Sequence, residues 1–290
     1  MSSPRPSPRI SIVTPSFNQA AFIAQTILSV LGQGYDNLEY FVFDGGSTDG
    51  TVDVLRKYEG RITYWQSQRD EGQAAAINEG LSRATGDIVG WLNSDDYYLP
   101  KTLATVAARL DPSRPQLLGG NCVLLYEATG GVGGTDVPGR RLAQDLRLAD
   151  YLYQPATFWT ASAWKTVGPL TTALHYAFDW EWFIRAEQKG VEILTTADYL
   201  AVYRFHAGHK TGTGGERRRD ELRGIYRKYS ADSYAQMFDA LATNRTIKRV
   251  HFAMWRAGSG AWFPKVARAF WPALFGQFTD REISNVATMV

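Results

Sequence analysis

The strongest constraint on the fold is an alternation, through the first third of the chain, of short apolar runs with segments of helical spacing. Ile10-Ser11-Ile12-Val13-Thr14 reads as a buried strand, and Pro15-Ser16-Phe17-Asn18 breaks it. Ala20 to Leu31 then places Ile23, Ile27, Val30 and Leu31 on one helical face. The unit repeats. Glu39-Tyr40-Phe41-Val42-Phe43 is strand-like, Asp44 to Gly50 is rich in turn residues, and Thr51 to Tyr58 is helical. Ile62-Thr63-Tyr64-Trp65 supplies a third strand, Ala74 to Ala84 a third helix, and Asp87 to Leu92 a fourth strand. This order predicts an α/β domain, a Rossmann-like mostly parallel sheet flanked by helices. In such sheets ligands bind outside the carboxyl ends of the strands.

Those strand ends carry the chemistry. Trp91-Leu92-Asn93-Ser94-Asp95-Asp96 ends an apolar run in adjacent carboxylates, which repel one another unless a proton or a hard cation such as Mg²⁺ or Mn²⁺ separates them. A helix cap before Leu99-Pro100 is the alternative. Thr14 to Asn18 offers backbone polar groups and an aromatic ring beside a helix start, and Asp44 can accept from a base or ribose. Gly45 and Gly46 let a ligand approach the backbone. No glycine fingerprint for a dinucleotide or triphosphate follows the first strand, which disfavours a dehydrogenase or ATPase.

Composition narrows the class. With a net charge of +2 there is no strongly basic face for nucleic acid. The single Cys122 excludes a disulfide framework or cysteine-rich zinc site and is expected to be a buried structural thiol, as fits a reducing compartment. Residues 1–9, rich in Pro and Ser, are expected to be a flexible leader, followed by a catalytic domain over 10–215 and a helical extension over 216–290.

Four ordered stretches, Ser11 to Asn18, Phe43 to Thr51, Asp70 to Gly80 and Trp91 to Asp96, together resemble the inverting nucleotide-sugar glycosyltransferases of family two, which have the GT-A fold. The resemblance implies that Thr14, Pro15, Ser16 and Asn18 line the nucleoside pocket and that Asp44 holds the base, commonly uracil. It places Asp70 and Gln73 near the donor ribose and sugar. It makes Asp95 the principal ligand of a Mn²⁺ or Mg²⁺ ion bridging the diphosphate, with Asp96 beside it and Ser94 in the donor loop. Asn93 stands where relatives often begin this motif with Asp, an Asn-x-Asp-Asp departure that leaves a neutral amide suited to the ribose. The likeness continues through Tyr153 to Trp159 and His175 to Arg185, where Asp179 matches the catalytic base and Glu181 is the runner-up; a helix cap is the alternative for Asp179. Tyr203 to Thr211 resembles the segment in which relatives place a His near the metal, here His206, with Arg204 or Lys210 to neutralise phosphate.

The reading is a metal-dependent inverting glycosyltransferase that uses a nucleotide-sugar donor, expected to be UDP-linked, and a glycan or lipid-linked acceptor. A sugar nucleotidyltransferase and a non-catalytic sugar-binding protein of the same fold are the alternatives. Beyond residue 215 the resemblance fades. Lys248, Arg249, Arg256, Lys265 and Arg268 interleave with Trp255, Trp262, Phe263, Phe270, Trp271, Phe275 and Phe278. That pattern suits an interfacial helix on an anionic membrane, and equally an extension packed on the domain or on a second subunit of a homo-oligomer. Sparse charge between Ala253 and Phe263 favours the membrane, so a cytoplasmic protein peripheral to the membrane face is expected.

Overall fold

In the computed structural model, which describes residues 7–290 and only the backbone of 143, 211 and 213, the chain divides into two compact units. One runs to Pro138 and resumes over Leu152–Thr213; the other joins Gly139–Tyr151 to Gly214–Val290. Within the expected leader, residues 1–6 lie outside the described residues, and Arg9 is held. Its backbone N–H donates to Asp87 Oδ2 at 2.8 Å and its guanidinium to Asn37 and Thr85.

In the first unit β1 (Ile10–Ser16), α1 (Ile23–Leu31), β2 (Leu38–Asp44), α2 (Thr51–Tyr58), β3 (Tyr64–Ser67), α3 (Gln73–Arg83) and β4 (Ile88–Trp91) follow the expected alternation. Then come β5 (Tyr97–Tyr98), α4 (Thr102–Arg109), β6 (Gln116–Tyr126), β7 (Gly131–Gly134), α5 (Val137–Ala143), β8 (Thr157–Thr160), α6 (Ala161–Val167), α7 (Phe178–Gln188), β9 (Glu192–Phe205) and α8 (Lys210–Thr213). One sheet runs in the order β3-β2-β1-β4-β8-β6-β9-β5, with β7 on β6. β3, β2, β1 and β4 are mutually parallel, and β8 lies antiparallel to both β4 and β6.

Register decides where the site forms. Ser16 pairs with Asp44, Asp44 with Ser67, and Val13 with Trp91, so the polar ends of four strands share one edge. The chain moves outward from β1 to β3, and α3 returns it to β4 on the other side of β1. That reversal opens a crevice at the carboxyl ends.

Two details depart from the sequence reading. Pro15 does not end the first strand: β4 stops pairing at Val13, so the missing Pro15 N–H removes no ladder bond on that side. The third strand begins at Tyr64 rather than Ile62, because Glu59–Arg61 adds a 3₁₀ turn to α2.

Close packing fixes α3. A Cβ on Gly80 would meet Val13 Cγ1 at 2.5 Å and Phe43 Cε2 at 3.0 Å, so only glycine lets this helix lie so near the sheet. Two residues earlier, Asn78 exchanges two hydrogen bonds with the Leu170 backbone, at 2.8 and 2.9 Å, and clamps the loop that precedes α7. α7 buries Phe178, Trp180, Trp182, Phe183 and Ile184. Trp182 stacks into a row with Trp164 and Trp159, and Trp159 meets Trp91 of β4 at a ring separation of 5.2 Å. Each such ring contributes about 4–6 kcal/mol of gross burial before side-chain entropy is subtracted. Cys122 is buried, as expected of a structural thiol.

The second unit is helical: α9 (Gly215–Tyr229), α10 (Asp232–Thr243), α11 (Arg245–Arg256), a 3₁₀ turn Gly260–Trp262, α12 (Phe263–Phe270), α13 (Pro272–Phe275) and α14 (Asp280–Ala287). Leu222, Tyr226, Phe238, Leu241, Phe263, Phe275 and Ile283 are buried in it. The Tyr226 hydroxyl donates to Leu148 O at 2.8 Å and ties the 139–151 segment to α9. Among the described residues no helix is long and apolar enough to cross a membrane.

Candidate active site

The floor of the crevice is a pair of interlocked loops. Asp44, buried at the end of β2, accepts from Gly46 N, Ser47 N, Ser47 Oγ and Ser67 Oγ at 2.5 to 3.2 Å. Its carboxylate therefore shapes the loop after β2. Asn18 has φ +52°, a left-handed conformation in which asparagine is tolerated. From there its Oδ1 accepts from Thr48 N and its own N–H donates to Ser47 Oγ, joining the loops after β1 and β2. Gly45 lies under Asp70, whose carboxylate would stand 3.2 Å from a Cβ there. Thr14 is buried and accepts from the Tyr40 hydroxyl at 3.0 Å, while Ser16 Oγ at the mouth is buried with no hydrogen-bond partner. An orphaned hydroxyl beside an exposed Phe17 ring is what a docking polar ligand would complete.

At the end of β4 the two carboxylates part company. Asp95 Oδ2 lies 3.1 Å from His206 Nε2. Asp96 is buried, and its Oδ1 accepts the Arg204 N–H at 2.9 Å. Burial first, and then the charge of Asp95, pushes the Asp96 carboxyl well above the usual carboxylate range. Arg204 holds both residues. It donates to Asp95 O, Glu127 Oε1 and Gln25 Oε1, and its guanidinium packs over the Phe22 and Tyr97 rings. With its Nε and both NH groups occupied, it is a brace for the carboxylate pair, a role its sequence context did not suggest.

A carboxylate oxygen and an imidazole nitrogen 3.1 Å apart form a donor pair suited to Mn²⁺ or Mg²⁺ once a diphosphate supplies further oxygens. Among the described residues no group of three His, Cys, Asp or Glu gathers for a metal, and Asp96, expected beside Asp95 on the cation, has Oδ1 on the Arg204 N–H and Oδ2 buried without a hydrogen-bond partner. His206 Nδ1 accepts from Gly208 N at 3.2 Å, which puts the ring proton on Nε2. A cation on Nε2 would shift that proton to Nδ1 and release the Gly208 contact.

A relay of amides crosses the site. Lys210 Nζ donates to Gln73 Oε1 at 2.6 Å, Gln73 Nε2 to Asn93 Oδ1 at 2.7 Å, Asn93 Nδ2 to Gln154 Oε1 at 3.2 Å, and Gln154 Nε2 to Trp91 O at 2.7 Å. An ammonium only donates and a carbonyl oxygen only accepts, so both ends fix the direction of all three amides. Gln154 is the residue that sequence reading missed: its stretch was visible, but nothing local signals an amide aimed at β4. Lys210 also lies 5.4 Å from the Phe178 ring, which brings it to the start of α7.

Asp179 stands in the first turn of α7, half-buried, with Oδ1 accepting from Trp180 N at 2.8 Å. Glu181 is buried, accepts from Thr171 Oγ1 at 3.0 Å and pairs with Arg185 at 2.9 Å. Arg185 in turn donates to Val167 O and Pro169 O. Of the two acids, Glu181 therefore braces the loop that Asn78 also clamps, and Asp179 is the more exposed.

A parallel sheet with this crevice and these loops defines the class of protein. The model for glycosyl transferase family 2 matches residues 11–153, just under half of this chain. A putative teichuronic acid biosynthesis glycosyltransferase of Bacillus subtilis, TuaG, is 41% identical over 92 residues, 31% of this chain and 36% of that protein. A GalNAc(5)-diNAcBac-PP-undecaprenol beta-1,3-glucosyltransferase of Campylobacter jejuni is 29% identical over 155 residues, 52% of this chain and 49% of that protein. The matched stretch thus spans less than half of either relative. Among solved structures, S. aureus TarS 1–349 in complex with UDP-GlcNAc aligns with TM-score 0.59 and 16% identity, over 97% of this chain and 90% of that one. The mannosyltransferase PcManGT of Pyrobaculum calidifontis, in complex with GDP-Man and Mn²⁺, aligns with TM-score 0.60 and 18% identity, over 98% and 87%. The fold is GT-A, with a helical C-terminal part.

Proposed function

We propose that the chain is a metal-dependent inverting glycosyltransferase that moves one sugar from a nucleotide-diphosphate sugar, UDP-linked by preference, to a glycan or lipid-linked acceptor. The observation that carries the reading is the Asp95–His206 pair at the end of β4, set in the same crevice as the Lys210–Gln73 contact. The UDP-GlcNAc complex of TarS and the GDP-Man and Mn²⁺ complex of PcManGT support the donor class and the cation. The teichuronic acid biosynthesis and PP-undecaprenol in the names of the Bacillus and Campylobacter relatives support a glycan or lipid-linked acceptor, which would bring the protein to the cytoplasmic membrane face.

Asp95 and His206 would hold Mn²⁺ or Mg²⁺ together with donor oxygens. The bound cation supplies charge neutralisation at the diphosphate. Thr14, Pro15, Ser16 and Asn18 bind the nucleoside, and Asp44 recognises the base as one of its serine donors yields. Asp70 and Gln73 orient the ribose and sugar, with Asn93 and Ser94 completing the donor loop. Asp179 takes the acceptor hydroxyl proton as that oxygen attacks the anomeric carbon opposite the diphosphate; the carbon–oxygen bond to phosphate breaks and its electron pair leaves with the nucleotide. Lys210 turns from Gln73 to the departing phosphate and offsets its charge.

A thermal-shift screen of nucleotide sugars with and without Mn²⁺ tests this reading. A Mn²⁺-dependent rise in melting temperature with one nucleotide class is expected. Identical melting with every nucleotide would overturn it.

A further inference from the structure

The helical unit separates the aromatics that the sequence left together. Phe263, Phe275 and Phe278 are buried, whereas Phe252, Trp255, Trp262 and Phe270 remain 57, 67, 60 and 75% exposed. α11 explains how. Ile247, His251 and Met254 turn inward along one stripe, and Ile247 is the only fully buried residue of the helix. Lys248, Phe252, Trp255 and Arg256, spaced by four, three and one residues, form a second stripe that faces solvent. Phe252 and Trp255 stack at 6.3 Å, and a Cβ on Gly260 would lie 3.8 Å from Trp255 Cδ1, so the Gly260–Trp262 turn continues the patch. Cations lean on the same rings: Arg256 over Phe252, and Lys265 over Trp262 at 4.3 Å.

Charge selects the occupant. Between Asp239 and Asp280 the chain carries Arg245, Lys248, Arg249, Arg256, Lys265 and Arg268 and not one acidic residue. Of these, Arg268 is tied to Asp280. A protein surface without matching acidic groups would bury these like charges; a sheet of anionic headgroups would pair with the other five while the rings reach the acyl boundary.

We propose that the Lys248–Phe252–Trp255–Arg256 stripe of α11, with Trp262 and Lys265, is a docking face for an anionic lipid bilayer. The choice of a bilayer rests on the reading of a membrane-side acceptor. Vesicle binding needs neither donor nor transfer, so either idea can fail alone.

Flotation of the full chain with vesicles of phosphatidylglycerol and phosphatidylcholine in equal parts is the test, with pure phosphatidylcholine as the comparison. Binding to the anionic vesicles alone, reversed by salt, is expected. Trp255→Ser with Trp262→Ser should weaken it on the order of tenfold per ring, and Lys248→Gln with Arg256→Gln about fivefold per cation. All four side chains are exposed, so the variants should melt with the parent. As a measurement free of mutation, vesicles of brominated lipid should quench the parent's tryptophan fluorescence. Failure to float with anionic vesicles, parent-like flotation of the variants, or a dimer in light scattering that the tryptophan substitutions dissolve without any vesicle binding would each overturn the proposal.

Discussion

Gln73 Nε2 donates to Asn93 Oδ1 at 2.7 Å, and this bond makes the amide at position 93 a two-way link, accepting from α3 and donating to Gln154. Asn93→Asp keeps the acceptor and loses the donor. A carboxylate there also faces Gln154 Oε1, leaving two acceptors opposed. We expect a loss of about 1–3 kcal/mol in unfolding free energy at neutral pH. The deficit should shrink in acid, where a protonated aspartate donates again. Chemical denaturation across pH checks this; a variant as stable as the parent at neutral pH would show that the relay contributes nothing.

Lys210 joins the relay to the start of α7. Lys210→Met should lower turnover about tenfold to a thousandfold by removing charge from the leaving side, with a smaller effect on donor KM. Steady-state rates over a donor series measure the split, and a pure KM effect would assign Lys210 to binding alone.

Asp179→Asn should reduce transfer by about a hundredfold to ten-thousandfold while UDP still binds in calorimetry. Glu181→Gln serves as the contrast. It breaks the Thr171 and Arg185 contacts and should lower the melting temperature before it alters chemistry. If Glu181→Gln abolished transfer in a fully folded protein and Asp179→Asn did not, the base would be the other acid.

Asp95→Ala and His206→Ala should each weaken Mn²⁺-dependent UDP binding on the order of tenfold or more, and chelation should do the same to the parent. Asp96→Asn makes a third arm. Because Asp96 accepts a backbone N–H rather than facing His206, its substitution should act through stability. Equal loss of metal dependence in all three variants would place Asp96 on the cation.

Glu39 offers a pH signature away from the site. Burial would raise its carboxyl, but hydrogen bonds from Ser11 and Thr85, with Arg9 nearby, hold it below its ordinary 4.5. A depressed carboxyl contributes stability that is complete above the unfolded value and is lost as pH falls through the folded one. Glu39→Gln should therefore cost about 1–2 kcal/mol at neutral pH, and the gap to the parent should close below pH 4.5. A gap that persists in acid would mean that packing, not charge, is responsible.

Much was legible in the residues themselves. Strand and helix follow from periodicities of two and of about 3.6, which are local. Hence the alternation through β4, the crevice edge and the positions of Asp44, Gln73 and Asp95 could be read in advance. Local pattern also misjudged Pro15, whose effect depended on where a neighbouring strand stopped pairing. What the folded chain alone decided is which partner each polar group takes. Asp95 and Asp96 are adjacent in sequence, yet one faces His206 and the other the Arg204 backbone, because their Cβ directions diverge and β9 approaches from over a hundred residues away. Lys210 finds Gln73 across 137 residues. The aromatics of the C-terminal helices look alike as a string, and only the closing of a small core around Phe263 and Phe275 left Phe252, Trp255 and Trp262 outside. Burial is shared among all the elements that meet at one place, so no window of sequence contains it.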